Sequence, residues 1–325
     1  MNTVSRRSFS QIVTATALAG FAPGIGPAWA QIKDLELTAP SSPGSGYDQL
    51  ARTIQTVLQQ EKLASGIEVK NVAGGGGTVS LAQYITGKKR GPTALIIGFA
   101  LVGGVLTTKS PVSLNTLVPL ARLMAEPDLI VVSSKSDIKS MADLVAKLKA
   151  SPSEVRWAGG SIGGIDHVLV GLIARAVGVD ASKVNFVVHA GGGEVMASVL
   201  GGHTTAALSG PEEFRSQINS GLLRPLAISS EERIPGNDVP TLKEAGVDVT
   251  LMNWRGVMGH PDLPQTETTA LIDMFKAMAS SPSWKEALQA RGWLDYYQPG
   301  PEFGPYLKEQ QASVETTLKS IGMLK

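Results

Sequence analysis

Apolar and polar positions alternate in blocks that predict strands and helices in turn. Over residues 33–39 every second position is polar, which predicts a half-buried strand. After a loop rich in proline, glycine and serine, apolar residues recur every three or four positions, and Asp48 stands near the start of this predicted helix. Residues 94–99 form an unbroken apolar run, which is typical of a strand buried on both faces.

The rest of the chain repeats this strand–loop–helix order. Further strands are predicted at 67–69, 129–132, 155–158, 184–188, 206–208 and 226–228. Further helices are predicted over 79–85, 140–148, 168–176, 194–200, 213–220 and 303–321. One of them starts with a capping-box pattern, Ser140 followed by Asp143. Such units predict an α/β fold with mainly parallel sheets flanked by helices, and a ligand site beyond the carboxyl ends of the strands.

The first 30 residues have the pattern of an export signal. Arg6 and Arg7 precede a short apolar run, 12–22, and a small-residue A-x-A site ends at Ala30. The run is shorter than the ~20 residues that span a bilayer. We therefore expect cleavage before Gln31 and a mature protein that is free in the periplasm. The paired arginines fit either the general secretory or the twin-arginine route.

Composition narrows the classes of function. The chain has 325 residues with 29 basic and 28 acidic ones, so no single-sign field favours nucleic-acid binding. It has no cysteine, which excludes disulfides, thiolate metal sites and a thiol nucleophile. Its four histidines lack the spacing of a metal motif. We expect neither a metal nor another cofactor.

Glycine-rich loops recur where predicted strands pass into predicted helices. They lie at 42–48, 74–77, 159–167 and 189–194. Glycine lets the backbone come close to a ligand, and the free amides of a helix N-terminus attract anions. Several such loops facing one cleft would bind a ligand with more than one carboxylate. The competing interpretation is that the glycines only permit tight turns.

The glycine loops do not match nucleotide-binding motifs, but one of them matches a hydrolase motif. No G-x-G-x-x-G or G-x-x-x-x-G-K-[ST] pattern is present. Residues 159–163 match G-x-S-x-G, in which Ser161 would be the nucleophile of an esterase. Asp238 or Asp248, followed by His260, would complete the order of such a triad. The esterase stays a distant alternative to a binding protein without catalytic residues.

Together with three later runs, these loops resemble the substrate-binding proteins of tripartite tricarboxylate transporters. The matching segments are 42–48, Asn71 with 74–77, 159–164 with Asp166 and His167, 191–194, 221–233, 239–244 and 253–256. Two of these runs are similar to the citrate-type branch. The resemblance implies a two-lobed periplasmic binding protein fold whose lobes are joined by crossing segments. The implied limits are 31–123 plus 252–325 for lobe one, 124–251 for lobe two, and crossings near 124–129 and 250–254.

The resemblance also implies which residues contact the ligand. The proximal carboxylate would be bound by Ser42, Pro43, Gly44, Ser45 and Gly46 with Ser161, Gly163 and Gly164. The distal, specificity-setting side would include Gly191, Gly192, Gly193, Glu194 and Ser209. Asp48, Gly75, Gly76 and His167 complete the set, and packing within its loop is the alternative role for His167. Many relatives have aspartate where Ser209 leaves the position uncharged, which argues against an amino-acid ligand.

The function that the resemblance implies is capture of a small organic acid. A citrate-like di- or tricarboxylate would be delivered to a membrane permease of one large and one small subunit. Two alternatives keep the fold, namely an aromatic carboxylate as the ligand or a sensor kinase as the partner.

Overall fold

The computed structural model describes residues 32–88, 91–234 and 238–324, and the predicted export signal at 1–30 lies outside them. The strands are, in chain order, β1 (Ile32–Lys33), β2 (Glu36–Ala39), β3 (Ala64–Ser65), β4 (Glu68–Asn71), β5 (Thr93–Gly98), β6 (Val118–Pro127), β7 (Leu129–Ser133), β8 (Arg156–Gly159), β9 (Asn185–Val188), β10 (Ala206–Ser209), β11 (Leu223–Ile228), β12 (Met252–Gly259) and β13 (Leu294–Pro299). The α-helices are α1 (Gly46–Gln60), α2 (Thr78–Thr86), α3 (Phe99–Thr107), α4 (Met141–Ala150), α5 (Ile165–Ala176), α6 (Gly192–Leu200), α7 (Pro211–Asn219), α8 (Gln265–Ser280), α9 (Pro282–Arg291) and α10 (Gly300–Ser320).

Two large sheets organise these elements. The first has the strand order β13-β6-β12-β5-β2-β4 and the second β11-β7-β10-β8-β9. In the first sheet β2 is parallel to β4 and β5, whereas β12 is antiparallel to β5 and β6, and β13 is antiparallel to β6. In the second sheet β8 is parallel to β9 and β10, and β7 is antiparallel to β10 and β11. The predicted α/β class, with helices flanking two sheets, is confirmed.

The sheets are mixed in strand direction, which corrects the expectation of mainly parallel sheets. The chain leaves the first sheet at the end of β6 and joins the second in β7 after one residue, Asp128. It returns to the first sheet in β12 after residues 229–251. Parallel neighbours need a crossover connection, usually a helix, to bring the chain back. A strand that enters a sheet from the other one lacks that connection, and here it pairs antiparallel.

Apolar side chains fill the space between these sheets and their helices. Ile96 and Trp254 belong to the core of the first sheet. Trp157 lies in a core on one face of the second sheet, and Phe214 lies in another. The two changes of sheet fall close to the expected crossings. The limits expected for the two lobes stay a prediction.

Helix α5 packs into the cores of both sheets. Its Ile165 belongs to the core of the first sheet, while Leu169 belongs to that of the second. Its last turn contacts α10, where Arg175 donates a hydrogen bond to Ser320. Residues Gln31–Lys325 accordingly form one compact unit.

The hydrophobic pattern predicts the capping box of α4 but does not reveal α3, α8 or α9. Ser140 and Asp143 cap each other's backbone amides as predicted. Helix α3 is almost entirely apolar, so it lacks helical periodicity, and it follows β5 directly. A Cβ on its Gly103 would overlap the carbonyl oxygen of Gly163, and one on Gly104 would lie 2.6 Å from that of Gly76. An unpredicted helix therefore supports two of the predicted site loops.

Candidate ligand-binding site

A cavity of about 400 Å³ lies among loops of both sheets. Its volume falls within the range of small-molecule sites. Residues between 40 and 47 and between 73 and 77 line it from the first sheet. Residues on the crossing segments line it as well, and loops at 160–166, 188–195 and 209–213 line it from the second sheet.

The cavity brings together about half of the expected ligand contacts. Those that line it are Ser42, Ser45, Gly46, Gly76, Ser161, Gly164, Gly191, Gly192 and Ser209. Those that do not line it are Pro43, Gly44, Asp48, Gly75, Gly163, His167, Gly193 and Glu194. Several members of the second group hold the loops in place.

Asp48 does not line the cavity but holds the first loop, 42–48, through hydrogen bonds. Its carboxylate accepts hydrogen bonds from the Gly44 amide at 2.8 Å and from Asn71 at 3.0 Å, and it pairs with Arg52 at 3.0 Å. Desolvation opposes ionisation, but the hydrogen bonds from Arg52, Gly44 and Asn71 outweigh it and hold the pKa of Asp48 below its usual value. The carboxylate therefore stays charged and fixes the backbone in front of α1.

Glycines 74–77 form the second loop in a backbone conformation that other residues rarely adopt. Their φ angles lie between +58° and +127°. Gly74, Gly76 and Gly77 line the cavity. A Cβ on Gly76 would stand 4.0 Å from the Cβ of Ser161, so loops of the two sheets come into contact here.

Gly163 and His167 hold the third loop in shape. Gly163 has φ +75° and packs against Gly103 and Thr107 of α3. Its amide donates a 3.5 Å hydrogen bond to Nδ1 of His167, whose ring stacks on Phe186 with centroids 4.2 Å apart. Burial lowers the pKa of His167 to about 4, so the ring is neutral at pH 7. The geometry agrees with the packing role for His167.

The fourth loop faces an acidic residue of the protein itself. The carboxylate of Glu213, in the first turn of α7, lies so close to Gly192 that a Cβ there would overlap it. The same carboxylate accepts a 2.8 Å hydrogen bond from Ser209. Position 209 itself is uncharged, as expected, but the carboxylate of Glu213 lies directly beside it. Glu194 instead accepts a 2.9 Å hydrogen bond from the Ala190 amide and closes its own loop.

Four carboxyl groups and one guanidinium line the cavity, and none of them was an expected ligand contact. They are Glu126, Asp128, Asp166, Glu213 and Arg255. Arg255 pairs with Glu126 at 2.5 Å, and both side chains are almost fully buried. Both carboxyl oxygens of Asp128 are buried and receive no hydrogen bond from an N–H group, and the side chain hydrogen-bonds with the neighbouring acid Asp166.

Burial raises the pKa of three of these acids. For Asp128, burial and the neighbouring Asp166 together raise the pKa well above its usual value. Burial also raises the pKa of Asp166, although the Gly160 amide donates to it at 2.6 Å. In Glu213, burial outweighs the hydrogen bond from Ser209 and raises the pKa. These acids hold their protons to a higher pH than exposed acids do.

The sequence contains a signal for some of these charges. Glu126 and Asp128 interrupt the stretch 123–132, which is otherwise apolar, and Arg255 similarly interrupts β12. A charge inside a buried strand is costly unless it is paired or has a function. No such signal marks Asp166 or Glu213, because acids are common in the first turn of any helix.

The structure does not assemble the esterase triad. Ser161 lines the cavity, whereas His260, Asp238 and Asp248 do not. The buried ring of His260 lies 3.1 Å from the carbonyl oxygen of Ile85 and accepts a 3.1 Å bond from a backbone amide two residues on. Both ring nitrogens are therefore engaged away from the serine.

The cavity acids do not make a metal site. Among the residues that the structure describes, no three acidic or histidine side chains lie close enough together to hold a metal ion. Within the same ranges, no helix has both the length and the apolar character of a membrane span.

Comparisons with known proteins agree with this architecture. The family model "Tripartite tricarboxylate transporter family receptor" matches residues 50–323. Protein BugT of Bordetella pertussis is 27% identical over 299 residues, which cover 86% of this chain and 90% of BugT. The structure of periplasmic binding protein BugD has a TM-score of 0.79 at 19% identity, covering 90% of this chain and 99% of BugD. R. palustris Rpa4515, solved with adipate, has a TM-score of 0.82 at 21% identity, covering 89% of this chain and 97% of Rpa4515.

These findings confirm the expected two-lobed fold and its family. The two solved structures share the fold with the chain, and the family model spans most of its length. The comparisons bring no support for a sensor kinase as partner. This chain belongs to the tripartite tricarboxylate transporter receptor family, a family of periplasmic solute receptors.

Proposed function

We propose that this protein binds a small organic acid through a carboxylate and delivers it to a membrane permease of one large and one small subunit. The observation that carries the proposal is that three helix N-termini line one cavity. Gly46 at the start of α1, Gly164 before α5 and Gly192 at the start of α6 all face it. First-turn amides have no partner within their helix and carry partial positive charge.

The start of α1 is the end of the cavity best suited to a carboxylate. Ser42 and Ser45 add hydroxyl groups there. The guanidinium of Arg255 lies directly against Gly46, since a Cβ on that glycine would stand 2.5 Å from Nη2. A guanidinium has five N–H donors, so the pairing with Glu126 leaves others for a ligand. Ser161 faces the same cavity from the second sheet.

Receptor action requires export and closure as well as binding. We propose that the segment 1–30 directs the chain to the periplasm. The lobes would be 31–123 plus 252–325 and 124–251, with the cavity between them. Closure over a ligand removes water, which strengthens each hydrogen bond to a carboxylate.

Citrate-like di- and tricarboxylates are the first ligands to test, together with adipate, the ligand of the Rpa4515 structure. Family membership supports this choice. The four carboxyl groups in the cavity oppose a ligand with several negative charges. The essential element of the proposal is therefore one carboxylate bound at α1.

A thermal-shift series with purified protein tests the proposal. Citrate, adipate and shorter carboxylates would be compared with neutral sugars of similar size. A ligand at 100 times its Kd adds about 2.7 kcal/mol to the free energy of unfolding, so a true ligand raises the melting temperature clearly. If sugars stabilise the protein and no compound with a carboxylate does, the proposed function is wrong.

A further inference from the structure

The cavity wall holds more acidic than basic side chains. Arg255 is the only arginine or lysine that lines it in the described part of the chain, and it is paired with Glu126. Within the described residues, Asp128, Asp166 and Glu213 face the same cavity and none of them forms an ion pair. We call these three residues the acidic wall.

Asp128 is the clearest sign that the acidic wall takes a ligand group. The residue is 1% exposed, no N–H group donates to either carboxyl oxygen, and its hydrogen-bonding neighbour is another acid, the carboxyl group of Asp166. A buried carboxyl that faces another acid and receives no N–H donor is costly, and Asp128 separates β6 from β7 at a point where residues 123–127 and 129–132 are all buried. Because the side chain lines the cavity, a ligand can supply the missing donor.

Next to the acidic wall, the N-termini of α6 and α7 already face acidic side chains of the protein. Glu213 stands over Gly192 at the start of α6. The carboxylate of Glu126 similarly lies against Gly210, the residue that precedes α7. A second carboxylate on the ligand would meet these charges rather than free amides. Like charges at close range disfavour each other, so the far end of the ligand is not an anion.

We propose that the acidic wall is a subsite for a protonated amine, and that the ligand is an organic acid with a cationic far end. This inference rests on the proposed function, which assigns the carboxylate to the start of α1. An ammonium group offers three N–H donors and a positive charge, which match acceptors that lack donors. The acids are not arranged to hold a metal ion among the described residues, so the cation is organic.

The experiment compares ligands that differ only at the far end. Isothermal titration at pH 7 would use adipate, 6-aminohexanoate and 1,6-diaminohexane, with their four- and five-carbon homologues. We expect the amino acid to bind at least about tenfold more tightly than the diacid of equal length, at the length that fits best. The preference should fall to less than about threefold in Glu213→Gln, because the wall then loses one negative charge.

A matched variant and a second wall variant keep the result interpretable. Glu302 is the third residue of α10, as Glu213 is of α7, but it is exposed and does not line the cavity. Glu302→Gln should keep the full preference for the amino acid. Asp128→Asn should reduce the preference as Glu213→Gln does, and melting without ligand checks that both wall variants fold.

The outcomes separate this inference from the proposed function. If diacids bind more tightly than amino acids at every length, or if Glu213→Gln and Asp128→Asn keep the preference, the amine subsite is wrong and the carboxylate receptor stands. If the diamine binds and no carboxylate does, the carboxylate receptor is wrong and the cationic subsite stands. Binding of no compound in the series overturns both.

Discussion

Individual side chains divide into those that face the cavity and those that hold the loops around it. Ser161 faces it, whereas Asp48 and His167 fix loop backbones through hydrogen bonds to glycine amides. Sequence position alone does not separate the two roles, since Asp48 and Gly46 are two residues apart. Substitution of a facing residue should change affinity more than stability.

Ser161→Ala should weaken binding of the best carboxylate by roughly tenfold to a hundredfold, because a hydrogen bond to a charged group contributes about 1.5–3 kcal/mol. Titration calorimetry measures the change. Ser216→Ala, at an exposed position of α7, is the matched control and should bind normally. Treatment with an organophosphonate should leave the protein mass unchanged. A stoichiometric adduct on Ser161 would instead favour the esterase.

Asp128→Asn should stabilise the unliganded protein at pH 8 and have little effect near pH 4. Burial and Asp166 raise the pKa of Asp128, so the folded protein holds this proton more tightly than the unfolded chain does. The resulting stability is present below the unfolded pKa and is lost as the pH rises through the folded pKa. Each unit by which the folded pKa exceeds the unfolded pKa corresponds to about 1.4 kcal/mol of stability lost at high pH. Asparagine carries no titrating proton, so the variant does not lose this stability.

Melting temperatures of both proteins between pH 4 and pH 8 test this expectation. The wild-type curve should fall further than that of Asp128→Asn as the pH rises. Parallel curves would mean that Asp128 does not bind its proton more tightly in the folded state.

Helices bring partial positive charge to the cavity and also set the spacing of its loops. Helix α3 presents Gly103 to the carbonyl oxygen of Gly163 and Gly104 to that of Gly76. Gly163 also has a positive φ and touches Thr107. A valine at position 163 would therefore strain the backbone and the contact with α3, and it would destabilise the fold as well as weaken binding.

Gly103→Ala should destabilise the protein by about 1–3 kcal/mol, because its Cβ would overlap the neighbouring loop. Helix propensity alone predicts the opposite, since alanine is favoured over glycine within a helix by about 1 kcal/mol. Gly193→Ala in α6 is the control, because nothing lies within 4 Å of a Cβ there. Chemical denaturation measures both. Equal stabilisation by the two substitutions would show that α3 is not in tight contact with the loop at Gly163.

Three of the charged residues that line the cavity lie on or beside the segments that connect the two sheets. Glu126 is the second-last residue of β6, Asp128 separates β6 from β7, and Arg255 lies in β12, which returns the chain to the first sheet. The buried charges therefore stand where the chain changes sheet. Breaking one buried pair should affect the stability of the whole unit, since it leaves an uncompensated charge.

Arg255→Met should destabilise the protein by about 3–5 kcal/mol, because Glu126 then remains buried and unpaired. The double variant Glu126→Gln/Arg255→Met should recover most of that loss, while carboxylate binding stays weak in both variants. Denaturation and titration calorimetry separate the two effects. Recovery of binding together with stability would show that Arg255 does not contact the ligand.

Much of the fold can be predicted from the sequence because its signals are local. Alternation over 33–39, the unbroken run 94–99 and the capping box at Ser140 depend on near neighbours, and the structure has a strand or helix at each place. Helix α3 is not predicted because almost all of its residues are apolar, which leaves no periodic contrast between apolar and polar positions. The direction of β7 and β12 could not be predicted from the sequence, because each of these strands enters its sheet from the other sheet.

The α/β order, the glycine loops and the family can all be read from the amino-acid sequence, because motif spacing is a property of the chain alone. The fold in three dimensions is needed to show that four acids from three segments share a cavity with one arginine. Glu126 and Glu213 are far apart in sequence, and sheet pairing and helix packing bring them together. The raised pKa values of Asp128, Asp166 and Glu213 follow from burial, which no local pattern encodes.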